Sequence, residues 1–311
     1  MNALTNNKPP QIWAVASGKG GVGKSFVAAN LGLAIAAHQK KVVIVDLDLG
    51  SANMHTCLGI PDPKSTLSNL FKQKNPDINN LIEYDADSNI GLISGVADNL
   101  QMANLKHFQK LKIMRNLSHI DADYVILDLG AGTSFNTIDF FLHADQALLT
   151  VMPEPTSVEN TYRFIKCMIA RKLRSLPQKT RKKINDVLIL HKSKKGKPQS
   201  FATFMTDMET KFPDHEKMIR DTLNELHLNL IVNQVIETSD TKLGVSMAII
   251  FRKYFDIDLN ILGYLYHDVH VVHALRGKKA YYHNFPQSRN VTSLNRIALQ
   301  LISEVKQEAV S

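Results

Sequence analysis

Gly18-Lys-Gly-Gly-Val-Gly-Lys-Ser25 has the spacing G-x-x-x-x-G-K-[ST], which wraps backbone N–H groups around phosphate oxygens. Glycines permit the tight turn, and the start of a following helix adds a favourable dipole. Lys24 supplies charge to the β and γ phosphates, and Ser25 offers a hydroxyl to Mg²⁺. Gly18, Lys19, Gly20, Gly21, Val22, Gly23, Lys24, Ser25 and Phe26 are the candidate nucleotide contacts, with ATP and Mg²⁺ as the expected ligands. A second cation, Lys19, follows the first glycine directly.

Carboxylates occur where such a loop would use them. Asp46 and Asp48 close an apolar run, and residues two apart point the same way only while the chain stays extended. Beside a phosphate they can hold magnesium waters or orient an attacking water. Asp128 ends a second apolar run, Tyr124 to Leu127, and is followed by Gly130 and Gly132, which let the next loop move. Asn233 ends a later run, and its amide has the donor and acceptor needed to read an adenine edge.

These residues need strands to carry them. Expected strands cover 11–17, 41–46, 92–94, 123–128, 146–151, 228–233 and 261–265, and expected helices cover 26–37, 105–117, 158–173, 215–227, 243–254 and 291–305. Strands that alternate with helices and are apolar on both faces predict an α/β fold. It is a doubly wound, mainly parallel sheet of about seven or eight strands with helices on both faces. Ligands of such sheets lie beyond the carboxyl ends of the strands. The expected organisation is a flexible segment 1–10 and a single domain 11–311, with a basic and polar insertion at about 172–226 and a C-terminal helix at about 291–306.

The two-lysine loop resembles the deviant Walker A motif K-G-G-V-G-K-[ST] of the MinD/ParA family of P-loop ATPases. That resemblance implies a homodimer formed around ATP, in which Lys19 reaches the partner's phosphates and acts in catalysis with Lys24. Asp46 to Asn53 resembles the family's D-x-D-x-G-x-x-N switch I. Asp48 would then position or deprotonate the hydrolytic water, Asp46 would support the metal with Ser25 and Asp128, and Asn53 would line the site. Asp128-Leu-Gly-Ala-Gly132 resembles Walker B and switch II. Asn233 falls at the family's base-reading position, with His267 and Asp268 near its other adenine contacts, although the proline common there is missing. Met152 to Val158, the form of switch II and the tail from Leu262 to Ser288 look most like the flagellar-number regulator branch, FlhG or FleN. Phe26 replaces a frequent hydroxyl residue, and residues 1–10 lack the segment with which some members of that branch activate a GTPase.

The composition narrows the remaining readings. No segment approaches a membrane span and residues 1–10 carry no apolar signal core, which predicts a cytoplasmic protein, with peripheral contact to the inner membrane or nucleoid. Cys57 and Cys167 are far apart and are read as buried thiols, which argues against a cluster supplied by this chain. His267, His270 and His273 recur every three residues and are read as solvated or capping rather than metal-binding. Arg163 to Lys197 holds thirteen Lys/Arg and one acidic residue, a local +12 that leaves −4 for the rest of a chain of net +8. Such a block suits DNA, an acidic membrane or an acidic protein. The function expected is an ATP-dependent dimerising switch that places or counts a cellular structure, a flagellum or other polar machine, through a protein partner. The rivals are a DNA-partitioning ATPase of the ParA type and a metabolic or metallocluster-assembly ATPase. The apolar stripe of the last helix (Leu294, Ile297, Ala298, Leu301, Ile302, Val305) can dock on the domain or target a membrane.

Overall fold

Runs such as Val42-Val-Ile-Val and Tyr124-Val-Ile-Leu are apolar at every position, the pattern of strands covered on both faces. The computed structural model describes residues 8–72, 76–85, 88–95, 105–193 and 201–308. Its strands are β1 Gln11–Ala16, β2 Val42–Leu47, β3 Glu83–Tyr84, β4 Ile90–Ile93, β5 Tyr124–Leu129, β6 Gln146–Val151, β7 Leu228–Val235 and β8 Leu259–Tyr266. They form one sheet in the order β3-β4-β2-β5-β1-β6-β7-β8. Every pairing is parallel except β3 with β4. The doubly wound sheet expected from the sequence is therefore present, with the two-residue edge strand β3 as an addition too short to leave a periodic signal.

The helices are α1 Lys24–Ala36, α2 Met54–Leu58, α3 Asn69–Lys72, α4 His107–Leu117, α5 Phe135–His143, α6 Pro155–Lys172, α7 Gln178–Ser193, α8 Phe201–Lys211, α9 Pro213–Asn224, α10 Thr241–Phe255, α11 His270–Arg276, α12 Tyr281–Asn284 and α13 Arg289–Glu308. They cover two separate cores. One face carries α1, α2, α11, α12 and α13 over Val15, Ile44 and Ile126. The other carries α4 to α10 over Ala14, Val45 and Leu127. Strand alternation dictates this division, because neighbouring residues point to opposite faces.

The segment 172–226 holds α7, α8 and α9, and Ile184, Val187, Met205, Met208, Ile219 and Leu223 join the second core. Residues 194–200 of this segment lie outside the described residues, as do residues 1–7 of the N-terminal segment. On α13, Leu294, Ile297, Ala298 and Leu301 are fully buried against the first core. Among the described residues no helix is long and apolar enough to cross a membrane. Cys167, expected to be buried, is exposed. On α6 the buried stripe is Phe164, Ile165, Met168 and Ile169, and residue 167 falls off it.

Candidate functional site

β1 lies at the middle of the sheet between β5 and β6, so the loop after Ala16 opens between the ends of its two neighbours. Two features fit that loop to glycine. Gly23, just before α1, has φ 84°, a left-handed conformation that side chains rarely adopt. Gly18 lies so close to α6 that an added Cβ would sit 2.3 Å from the Asn160 carbonyl carbon and oxygen. Ser17 Oγ donates to the Lys19 carbonyl (2.8 Å), bracing the turn from inside.

Register then assembles the charges. Asp46 on β2 and Asp128 on β5 are paired directly across the sheet. Each is two residues past an isoleucine, Ile44 or Ile126, that faces α1, so both carboxylates project to the α1 face. Lys24 is the first residue of α1 and meets Asp128 there. Its Nζ lies 2.9 Å from Asp128 Oδ1 and 3.6 Å from Asp48 Oδ2, and it is only 6% exposed. Burial alone would lower the Lys24 pKa, but the carboxylates of Asp128 first, then Asp48 and Asp46, together hold it above the ordinary lysine value. Asp46 accepts from the backbone N–H of Met54 and of Asp48, both at 3.1 Å. Among the described residues no cation pairs with it, and burial first and Asp128 second push it up to about 7. Among the described residues, buried Asp128 Oδ2 has no hydrogen-bond partner.

That orphaned oxygen bears on the expected metal. A buried carboxylate oxygen without a donor is costly unless something positive completes it. Ser25, at the start of α1, would join Asp46 and Asp128 in supplying the hard oxygen donors that Mg²⁺ takes.

Other candidate residues sit at the same edge of the sheet. Asn233, near the end of β7, donates through Nδ2 to the Val22 carbonyl (2.8 Å), so one of its amide protons is spent on the phosphate loop. His267 is exposed, and its N–H donates to the Val235 carbonyl at 2.9 Å. Asp268 is engaged locally: it accepts from Tyr281 Oη (2.5 Å) and from the His270 N–H (2.8 Å), and its Oδ1 lies 2.7 Å from His270 Nδ1. Phe26 stacks edge-on with Tyr281, ring centres 5.2 Å apart, in the core below the loop. Asn53 is exposed just before α2.

Lys19 stands apart from Lys24. Its Nζ donates to Glu154 Oε2 (2.9 Å) and Thr156 Oγ1 (3.1 Å), both just beyond β6. Within Met152 to Val158, neither Glu154 nor Thr156 has an expected role from the sequence. The one local signal is a carboxylate three residues past the end of an apolar strand.

A family model described as "ParA: NUBPL iron-transfer P-loop NTPase" matches residues 9–177, more than half of the chain. The chain is 31% identical over 170 residues to the antiactivator FleN of Pseudomonas aeruginosa and 32% identical over 165 residues to the septum site-determining protein MinD of Helicobacter pylori. These alignments cover 54% and 53% of this chain, and 60% and 61% of those relatives' own length. In fold, it is similar to MinD of Pyrococcus horikoshii complexed with Mg-ADP (TM-score 0.63, 18% identity, covering 94% of this chain and 96% of that one). It is equally similar to a ParA family ATPase of Chlorobium tepidum (TM-score 0.63, 15% identity, 94% and 99%). With the phosphate loop, the paired strand-end aspartates and the matched model, the chain belongs to the ParA/MinD family of P-loop NTPases.

Proposed function

We propose that this chain is an ATPase switch that dimerises on ATP, returns to a monomer with ADP, and controls the placement or number of a cellular structure. A flagellum or another polar machine, reached through a protein partner, is the favoured object, because FleN is among the relatives. The observation that carries the reading is the separation of the two loop lysines. Lys24 is buried between Asp128 and Asp48, whereas Lys19 lies at the rim with its side chain 38% exposed. A cation exposed at that rim supports a role toward phosphates of a second subunit rather than its own.

In this reading, Lys24 and the loop N–H groups bind the β and γ phosphates, and Lys19 of each subunit stabilises charge developing on the other's nucleotide. Asp48 accepts the proton of the attacking water or orients it. Ser25, Asp46 and Asp128 would hold Mg²⁺, which when bound neutralises phosphate charge. Asn233 contacts the base with its remaining amide groups, and His267 and Asp268 border it. Gly130 and Gly132 let the loop before α5 answer to the γ-phosphate. The protein works in the cytoplasm, peripheral to the inner membrane or nucleoid. Sedimentation velocity with ADP and with ATP, alongside phosphate release, tests this. A chain that stays monomeric with ATP at every concentration overturns it.

A second reading, DNA partitioning, is favoured by one observation: Lys179, Arg181 and Lys182 are exposed along α7. If they contact duplex DNA, log–log salt dependence falls by about 0.9 per phosphate neutralised. Reversal of Arg181, Lys182 and Lys183 to glutamate then removes binding. Salt-insensitive or absent DNA binding removes this reading.

A further inference from the structure

Leu47 and Leu129, which neighbour Asp46 and Asp128 in the chain, point to the opposite face of the sheet, and a cavity of about 720 Å³ opens beside them. One wall is made by residues 47–50 and 129–131 with 134–137, the two segments that carry or follow the site carboxylates. The other wall is basic: Lys110 of α4, Arg171 of α6 and Arg174 just beyond it, with His107 at the start of α4. Among the described residues lining the cavity, Asp48 is the one carboxylate, and it is held toward Lys24. Beneath the wall, Asp139 ties Lys110 to Arg171, accepting from Arg171 Nε at 2.6 Å and Nη2 at 2.8 Å. The Arg171 guanidinium lies 5.3 Å from the centre of the Phe135 ring, which is 64% exposed.

We infer that this cavity is a docking site for an acidic peptide segment of a protein partner, with a carboxylate received by Arg171 and Arg174 and an apolar side chain laid against Phe135 and Leu49. Three observations converge on that occupant. Arg174 is exposed at the rim and Arg171 is half-buried beside it, whereas Lys110 is buried on Asp139, so the two arginines give this wall a positive edge complementary to an acid. An exposed aromatic ring stacked on an arginine is the kind of anchor that dominates protein interfaces. The volume suits a few side chains rather than a folded element. Because both movable segments form the wall, an occupant held there senses their positions, and its affinity changes with nucleotide by the same factor as it changes the nucleotide's. This last coupling rests on the proposed switch; the docking site does not.

The test is fluorescence anisotropy of the full chain with a fluorescein-labelled pool of decapeptides alternating Asp or Glu with Leu or Phe. The control pool carries Asn and Gln in place of the acids. The acidic pool binds, the neutral pool does not, and Arg174→Glu weakens binding at least ~10-fold while its melting curve shows a folded chain. An α7 double variant, Arg181→Glu with Lys182→Glu, keeps the affinity. Equal binding of both pools, survival of binding in Arg174→Glu, or loss in the α7 variant overturns the proposal. So does nucleotide-free self-association that Arg174→Glu abolishes, because the occupant is then a second copy. Acid-selective, Arg174-dependent binding that is identical with ADP and with a non-hydrolysable ATP analogue upholds the docking site and removes its link to switching.

Discussion

Lys19 and Glu154 form an ion pair of 2.9 Å across the gap between the phosphate loop and the segment after β6, with the two side chains 38% and 45% exposed. Thr156 adds a second acceptor at 3.1 Å. An ion pair this open to water contributes at most about 1 kcal/mol. The hold is enough to park the lysine within its own chain and weak enough for a polyphosphate to displace it.

The two loop lysines should therefore separate by function. Lys19→Ala is expected to abolish ATP-dependent dimerisation and hydrolysis while keeping appreciable nucleotide binding. Lys24→Ala, which removes the buried partner of Asp128 and Asp48, loses nucleotide affinity as well. Size-exclusion chromatography with ATP and titration with a fluorescent nucleotide read the two effects. A Lys19→Ala chain that dimerises and turns over normally would remove the lysine from the mechanism.

Asp48 is the carboxylate at the site that lies past the end of its strand, and it stands 3.6 Å from Lys24 Nζ. Asp48→Ala should bind ATP and dimerise, yet hydrolyse at least ~10²-fold more slowly, the scale of a lost general base. Steady-state phosphate release checks it, and unchanged turnover excludes Asp48 as the base.

The glycines of the loop differ in what surrounds them. A Cβ on Gly18 would lie 2.3 Å from the Asn160 carbonyl and 2.5 Å from the Thr161 nitrogen, which are backbone atoms and cannot rotate away. A Cβ on Gly20 would meet nothing within 4 Å. Gly18→Ala should cost ~1–3 kcal/mol, the usual scale of overpacking, while Gly20→Ala leaves nucleotide-free stability nearly unchanged. Thermal unfolding of both variants decides the matter, and equal melting temperatures would contradict the packing argument.

What was legible in the chain followed its periodicity. β6 matches its expected bounds at Gln146–Val151 because Ala-Leu-Leu-Thr-Val is bracketed by Asp145-Gln146 on one side and Pro153 on the other. Asp46 and Asp128 were visible as strand ends, but their direct pairing is a matter of register between segments some 80 residues apart, which no local pattern carries. The Lys19 and Glu154 contact, 135 residues apart in sequence, needs β1 beside β6. Helices α7 and α8 were not among the expected elements: α7 is dense in Lys and Arg, and α8 mixes polar residues with Met205 and Met208. The buried positions Thr180, Ile184 and Val187, and then Phe204, Met205 and Met208, show the helical spacing only once the charges are set aside.

The Lys110, Asp139 and Arg171 network yields a prediction on pH. Burial opposes ionisation of Asp139, but the hydrogen bonds from Arg171 and Lys110 outweigh it and hold the carboxyl below its ordinary 3.8. A carboxyl whose folded pKa is depressed stabilises the fold above its unfolded pKa, and that contribution fades as pH falls through the folded value. Asp139→Asn removes two charge-assisted contacts from a side chain 13% exposed, at an expected ~2 kcal/mol. In urea unfolding, the gap between wild type and Asp139→Asn should be full at pH 6 and narrow as pH falls below 3.8. A gap that stays constant into that acid range would mean that Asp139 stabilises the fold by packing rather than by charge.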